Sequence, residues 1–165
     1  MKTIHGWDVI ADGGSRRLRL FQVPGVPTRK LRLRRDIGGY LVSFVAQYHK
    51  KIAPIDEGTF DDWSWAPVRN GRASSSVSDH CAGVAVDLNA TREGSQSRSN
   101  VFWKRHPIKA AKMRRMLRRW KLIEWGGDYK NFYDPMHITF KYGVTAEDVQ
   151  REMGRMKIRR NGRFV

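Results

Sequence analysis

Two histidines and an aspartate carry the most specific chemical signal in this sequence. His80 and Asp87 lie seven residues apart in the segment SDHCAGVAVD, residues 78–87, and His137 closes the segment YDPMH. Zinc sites that perform chemistry take three protein ligands from histidines and acidic residues and keep a fourth position open for water. The residue types therefore predict one zinc ion bound by His80, Asp87 and His137.

A second aspartate, Asp134, is expected to be the general base of this site. It lies three residues before His137, and Pro135 biases it toward an extended conformation outside the strand. A carboxylate there can reach a water molecule beside the metal without binding the metal itself. The other acid in these motifs is Glu124, and its place before Trp-Gly-Gly favours a structural role as a loop anchor.

Two short strands are expected to present the ligands from their polar faces. Alternation in residues 83–88 turns Val84, Val86 and Leu88 to the core and leaves Asp87 on the opposite face. In residues 136–142 the same alternation leaves His137 outside. It turns three apolar side chains inward: Ile138, Phe140 and Tyr142.

The motif SxHxxGxAxD, followed by EWGGDY at residues 124–129 and DPMH at residues 134–137, resembles a known family. It is the D-alanyl-D-alanine carboxypeptidase and L-alanyl-D-glutamate endopeptidase family of zinc peptidases, with bacteriophage endolysins as the nearest members. The likeness is dense from about residue 65 to residue 140. The resemblance implies that His80, Asp87 and His137 bind zinc and that Asp134 is the general base. It also implies that the substrate is a peptidoglycan stem peptide, hydrolysed at an L-Ala-D-Glu or D-Ala-containing bond. This hydrolysis would lyse the host cell.

The resemblance also implies substrate-binding residues upstream of the first ligand. An arginine there would stabilise the oxyanion or hold a substrate carboxylate, and both Arg69 and Arg72 are candidates, with Arg69 closer to the usual spacing. Ser78 is expected to contact substrate as well. These are the substrate contacts that we expect beside the metal.

The elements around the motifs predict an α+β fold. Helical spacing of apolar residues near 37–53 and 107–121 predicts two helices that cover the apolar face of a small antiparallel sheet carrying the zinc ligands. The apolar stripe of the second helix is expected to include Ile108. A third helix is expected to start at Thr145. Leucines alternating with arginines near residues 18–20 and 31–34 predict a hairpin, and Trp63 and Trp65 are expected in the core, or else in a groove wall.

Length and composition favour one domain. The 165 residues, 40% of them hydrophobic and six of them Trp, support one core, so we expect a single domain over residues 1–165 with a frayed basic tail at 157–165 and no separate wall-binding domain. A single cysteine, Cys81, excludes an internal disulfide and is expected to be a buried filler. We find neither a membrane-spanning apolar run nor a signal peptide, which predicts a soluble protein held in the host cytoplasm before release to the wall.

The charge balance is strongly basic, with 32 lysines and arginines against 16 acids and a net charge of +16. Most of the excess lies in residues 15–35, 102–121 and 155–163. Such blocks indicate a polyanionic partner, either nucleic acid or the anionic polymers of a bacterial wall, or else a solvated face without a partner. We expect bacterial peptidoglycan and anionic wall polymers as partners of a monomer, without nucleic-acid binding or membrane insertion.

Two other functions fit part of the pattern. A basic nucleic-acid-binding protein could carry a structural metal site, but structural zinc usually has four protein ligands and this set has three. A wall-binding module on an inactive peptidase scaffold would need no general base, and Asp134 argues against it.

Overall fold

The computed structural model describes residues 1–58, 60–68, 77–91 and 101–165. In chain order the elements are β1 (Leu18–Gln22), β2 (Lys30–Arg34), α1 (Gly38–Lys51), a 3-10 turn (Asp79–Ala82), β3 (Ala85–Asp87), α2 (Val101–Arg105), α3 (Pro107–Arg119), β4 (Ile123–Trp125), a second 3-10 turn (Gly126–Asp128), β5 (His137–Phe140) and α4 (Ala146–Met156). Small antiparallel sheets and four helices confirm the predicted α+β fold.

The sheet that carries the candidate site has the strand order β3-β5-β4, and both pairs are antiparallel. Asp87 of β3 lies opposite His137 of β5, and Glu124 of β4 lies opposite Thr139. Residues that face each other across an antiparallel pair share one face of the sheet. Asp87, His137 and Glu124 therefore occupy the polar face, as predicted for the first two, while Ile138 lies on the opposite, apolar face.

Helices α1 and α3 join this apolar face in one core cluster. Tyr40 and Phe44 of α1 pack on Trp120, just after α3, with ring centroids 4.9 and 5.6 Å apart. Tyr40 also stacks on Phe140 of β5 at 5.9 Å. The aromatic rings thus connect both helices to the strand that carries His137, and the predicted covering of the sheet by these helices is confirmed.

Two apolar side chains of the predicted core lie outside it. Tyr142 is 79% exposed because β5 ends at Phe140 and the chain turns through Gly143, which has a φ of +77°. Ile108 is 72% exposed because it lies in the first turn of α3, where the inward face is formed by Ala110, Met113 and Met116. Both predictions were wrong. For Tyr142 the strand alternation was extended past the end of β5, and for Ile108 the apolar stripe was extended to a position off the inward face of α3.

The hairpin predicted near the N-terminus is formed by β1 and β2, which pair antiparallel from Leu18↔Arg34 to Gln22↔Lys30. Leu18 and Phe21 are the buried residues of β1, whereas Leu20 is exposed. The C-terminal segment, expected to be frayed, forms a second short hairpin in which Ile158 pairs with Phe164. The Ser43 hydroxyl donates to the Gly162 carbonyl oxygen and ties this hairpin to α1.

No helix in the described part of the chain combines the length and the apolar character that crossing a bilayer requires.

Candidate metal centre and active site

The first candidate ligand, His80, lies in the 3-10 turn Asp79–Ala82. The Ser78 side chain caps this turn by accepting the backbone N–H of His80 at 3.3 Å. Gly83 ends the turn at a φ of +69°, in the left-handed region that glycine adopts without strain. A Cβ at Gly83 would lie 2.8 Å from the backbone nitrogen of Arg34, so both conformation and space require glycine there. Ser78 is thus a capping residue, and its contact with substrate stays a prediction.

The imidazole of His80 is oriented by the backbone of a distant segment. Its Nδ1 lies 2.6 Å from the carbonyl oxygen of Ser64, which can only accept, so Nδ1 carries the proton. The other nitrogen, Nε2, faces the site, 3.1 Å from Oδ1 of Asp87. It donates to this oxygen when it is protonated and offers its lone pair to a metal ion when it is not. The hydrogen bond of Nδ1 fixes the tautomer that a metal ligand needs.

Asp87 and His137 face each other across the β3-β5 pair. Oδ1 of Asp87 lies 2.9 Å from Nδ1 of His137, and the ligand atoms of His80, Asp87 and His137 all lie within 4.8 Å of one another. On its other side Asp87 exchanges two backbone hydrogen bonds with Trp63, of 2.8 and 2.9 Å. The three residues predicted from the sequence are therefore together, and the group could bind a metal ion.

The electrostatics of the cluster keep Asp87 ionised. Burial raises the pKa of its carboxyl group, but the hydrogen bonds from His137 and His80 outweigh burial, and the pKa lies well below its usual range. An ionised carboxylate between two imidazoles is a donor set that suits a divalent cation.

Asp134 lies next to this cluster in a loop held on both sides. Its N–H donates to the Gly126 carbonyl oxygen at 3.0 Å, and its own carbonyl oxygen accepts the N–H of His137 at 3.0 Å. The Trp125 indole N–H donates to the Pro135 carbonyl oxygen at 2.7 Å. A Cβ at Gly126 would lie 2.1 Å from the Asp134 carbonyl oxygen, so only glycine allows this approach.

Asp134 is only 8% exposed, and the Oδ1 atom of its carboxyl group is buried without a hydrogen-bond partner in the described part of the chain. Burial raises the pKa of this carboxyl group, while the nearby imidazole of His137 lowers it and the negative charge of Asp87 raises it further. A buried carboxylate oxygen that has no partner and senses all three candidate ligands is suited to accept a proton.

Residues 72–140 match the sequence model of the D-alanyl-D-alanine carboxypeptidase family. The matched stretch contains His80, Asp87, Asp134 and His137, and it supports assignment to this peptidase family, as the sequence motifs indicated. It covers less than half of the chain. Neither a curated protein nor a solved structure matches the chain.

A second polar network of the peptidase-like site was not found by sequence reasoning. Nδ1 of His5 is hydrogen-bonded to Oδ2 of Asp79, the residue before the ligand His80, and Nε2 of His5 lies 3.1 Å from Oε1 of Glu124. The hydroxyl of Tyr129 donates to the same Glu124 oxygen at 2.6 Å. Hydrogen bonds to Asp79 and then Glu124 raise the pKa of His5 to about 9, so at neutral pH a cation lies between two carboxylates.

Nothing in the local pattern around His5 distinguishes it in the sequence. The one available signal is indirect. Asp79 lies between two residues of the first motif and Glu124 begins the second, and an acid that is buried needs a partner. Glu124 is held by His5 and Tyr129, which fits the anchoring role expected for it.

Other predicted residues of the site lie at or beyond its edge. Arg69 and Arg72 lie outside the described residues, so their contact with substrate stays a prediction. Trp63 was predicted in the core first and in a groove wall second, and its side chain is 50% exposed beside Asp87, which favours the second interpretation. Cys81 is buried and does not belong to the ligand group, as expected.

Proposed function

We propose that this protein is a zinc-dependent peptidoglycan peptidase of the bacteriophage endolysin type. Its substrate would be a stem-peptide bond, either L-Ala-D-Glu or one that contains D-Ala, and its action would lyse the host cell. The observation that carries the proposal is the group formed by His80, Asp87 and His137 within 4.8 Å, next to the unpartnered carboxylate oxygen of Asp134. The family match supports the peptidase part of the proposal.

The chemistry of the donor set fits zinc. Two imidazoles and one ionised carboxylate leave a coordination position open, and no cysteine belongs to the group in the described residues. His80 would bind through Nε2, because Nδ1 is engaged by the Ser64 carbonyl oxygen. A zinc ion in such a site supplies Lewis-acid chemistry, which polarises a carbonyl group and acidifies water.

The chain's own residues supply proton transfer and orientation. Oδ1 of Asp134 would accept the proton of the attacking water and later return it to the leaving amine. Asp87 stays anionic throughout because of its depressed pKa. Arg69, or else Arg72, would bind a substrate carboxylate or the developing oxyanion. The exposed indole of Trp63 would pack against the peptide beside Asp87.

The experiment that tests this function is digestion of purified cell walls by the zinc-loaded protein, with mass spectrometry of the new amino and carboxyl termini. We expect new termini within the stem peptide, and their identities name the bond. A digest without new termini, obtained with protein that carries one zinc per chain, would contradict the proposal. If that protein still sediments with walls, the alternative of a wall-binding module on an inactive scaffold is favoured.

Asp134→Asn separates catalysis from metal binding. The amide keeps the size of the side chain and removes the proton acceptor, so zinc content should be unchanged while hydrolysis falls by ~10² to 10⁴. His137→Ala should lose most of the zinc as well as the activity. Glu124→Gln is the matched carboxyl-to-amide control and should retain cleavage. Near-parental cleavage by Asp134→Asn, with zinc-loaded Glu124→Gln inactive, would move the role of base to Glu124.

A further inference from the structure

A groove lined by arginines lies between the β1–β2 hairpin and the C-terminal end of α4. Its volume is about 700 Å³, and its lining includes one acid, Asp36. Six arginines line it: Arg16, Arg17, Arg19, Arg34, Arg35 and Arg160. The proposed peptidase chemistry makes no use of them.

Two of these arginines are engaged by the protein itself. Arg34 lies 3.3 Å from Asp36, and its guanidinium lies over the Trp7 ring. Nε of Arg35 donates to the Arg16 carbonyl oxygen at 2.6 Å, which braces the turn before β1. Such contacts are structural, so these two side chains are not counted as free cations.

The remaining cations form no direct ion pair in the described part of the chain, although Arg17 lies near enough to Asp8 to lower its pKa. Arg16, Arg17, Arg19 and Arg160 form no salt bridge with any acid among residues 1–58, 60–68, 77–91 and 101–165. All four are exposed, and Arg19 also lies over the Phe21 ring, 5.3 Å from its centroid, which leaves its charge without an acidic partner. Uncompensated like charges gathered in a concave surface raise the local concentration of an anionic partner.

A second groove of about 600 Å³ meets the first at Arg19, which lines both. It continues along β1, and its lining includes Lys30, at the start of β2, and Arg163, in the C-terminal hairpin. The two grooves form one elongated cationic surface, here called the arginine track. It consists of Arg16, Arg17, Arg19, Lys30, Arg160 and Arg163.

The chemistry of the track specifies its ligand. A guanidinium group can donate two parallel hydrogen bonds to two oxygens of one phosphate group. An elongated row of guanidinium groups therefore suits a chain of phosphates better than a single anion. Proteins that bind single-stranded nucleic acid add aromatic side chains on which bases stack. The aromatic residue lining the track, Phe21, is buried. A phosphodiester polymer without bases therefore fits best.

The hairpin that carries part of the track is also hydrogen-bonded to the candidate site. The backbone N–H of Arg34, in β2, donates to the Gly83 carbonyl oxygen at 2.8 Å, and Gly83 ends the turn that carries His80. A polymer on the hairpin would thus be bound to an element that is hydrogen-bonded directly to the turn of His80.

We propose that the arginine track binds a flexible phosphodiester polymer of the bacterial wall and thereby holds the enzyme on its substrate. The choice of a wall polymer rests on the proposed peptidase function. Binding should weaken steeply with salt, and removing three arginines should reduce the slope of log K against log salt by about 2.

The test compares two triple variants of equal charge in the full-length, zinc-loaded protein. R16S/R17S/R160S removes three cations from the track, and K112S/R115S/R119S removes three exposed cations from α3. Binding is measured by sedimentation with purified walls, with and without their phosphodiester polymers, and by fluorescence anisotropy with poly(glycerol phosphate). We expect the track variant to bind at least about tenfold more weakly and the α3 variant within about threefold of the parent.

Three outcomes would overturn the proposal. Equal losses in both triple variants would mean that net charge alone drives binding. Undiminished binding to stripped walls would exclude the phosphodiester polymer. Tighter binding to duplex DNA than to poly(glycerol phosphate) at equal salt would make the track a nucleic-acid surface.

Cleavage of a soluble stem peptide separates this proposal from the proposed function. It should be equal in the parent and in the track variant, because the track touches no residue of the candidate site's chemistry. If the parent binds the polymer but cleaves no peptide, the peptidase proposal fails and the track stands. If the variant cleaves and binds like the parent, the track alone fails.

Discussion

His5 offers a test of the network beside the ligands that does not depend on substrate. It bridges Asp79, in the turn that carries His80, and Glu124, in β4. His5→Gln keeps a hydrogen-bonding side chain of similar length but removes the positive charge. Two carboxylates would then face each other without a cation, and Asp79 is almost completely buried. We expect the variant to fold with a lower free energy of unfolding at neutral pH.

The magnitude follows from the pKa of His5, which rises from 6.5 to about 9 in the folded protein. Each pKa unit corresponds to about 1.4 kcal/mol, so the charged form contributes at most about 3 kcal/mol. The side chain is partly solvated, which reduces this to about 2 kcal/mol.

The sign gives a pH signature. Because the pKa of His5 is raised on folding, its contribution is fully present below pH 6.5 and is lost as the pH rises through about 9. Burial raises the pKa of Asp79 and Glu124, but the hydrogen bonds from His5 lower it, so their contribution is lost only under acid conditions. The difference in the free energy of unfolding between parent and variant should therefore be largest from mildly acidic pH to about 6.5, and it should shrink as the pH approaches 9.

The assay is urea unfolding followed by tryptophan fluorescence, at several pH values from mildly acidic to above 9, with and without a zinc chelator. The gap between parent and His5→Gln should persist without metal and shrink at the highest pH. His106→Gln is a matched control, because His106 is exposed and forms no ion pair in the described residues. A gap that stays constant across the pH series would refute the electrostatic reasoning, and the absence of any gap would refute the network itself.

Other predictions concern the loop, the core and the ligands. Gly126→Ala should slow peptide cleavage at least about tenfold with zinc retained, because the new Cβ would lie 2.1 Å from the Asp134 carbonyl oxygen. Gly154→Ala is the control, because nothing lies within 4 Å of its new Cβ. It should raise the free energy of unfolding by about 0.5–1 kcal/mol. Trp120→Ala should lower the free energy of unfolding by about 3–5 kcal/mol in a urea titration, and a loss below about 1 kcal/mol would contradict the core described above. Burial lowers the pKa of His80, but the hydrogen bond and charge of Asp87 outweigh it and raise the pKa. Protons should therefore compete with zinc, and chelator competition should show affinity falling as pH is lowered; a pH-independent affinity would argue against imidazole ligands.

The parts of the site that could be predicted are those that depend on residue type and strand alternation. Two histidines and an aspartate at motif spacing predicted the ligand set, and the alternation around Asp87 and His137 predicted their shared face. Pro135 predicted that Asp134 leaves the strand. These features are local, so the sequence displays them directly.

What could not be predicted depends on contacts between distant segments. The acceptor that orients His80 is the backbone carbonyl of Ser64, and a carbonyl group is present at every position. His5 meets Asp79 across more than seventy residues, and no periodicity indicates that meeting. Tyr142 and Ile108 show the opposite error, because a local pattern was extended to a residue beyond the end of β5 and to one off the inward face of α3.

The stretch that matches the family contains the candidate ligands but lacks some of the groups that orient them. Residues 72–140 supply His80, Asp87, Asp134 and His137. The carbonyl that fixes the His80 tautomer and the backbone that pairs with Asp87 come from residues 63 and 64, and the cation beside Asp79 comes from His5. Because a metal site needs its ligands in fixed orientation, changes in residues 1–68 should alter metal affinity without touching a ligand. Segments outside the matched stretch would then also contribute to the choice of peptide bond. Trp63, exposed beside Asp87, is the first residue of these segments to substitute.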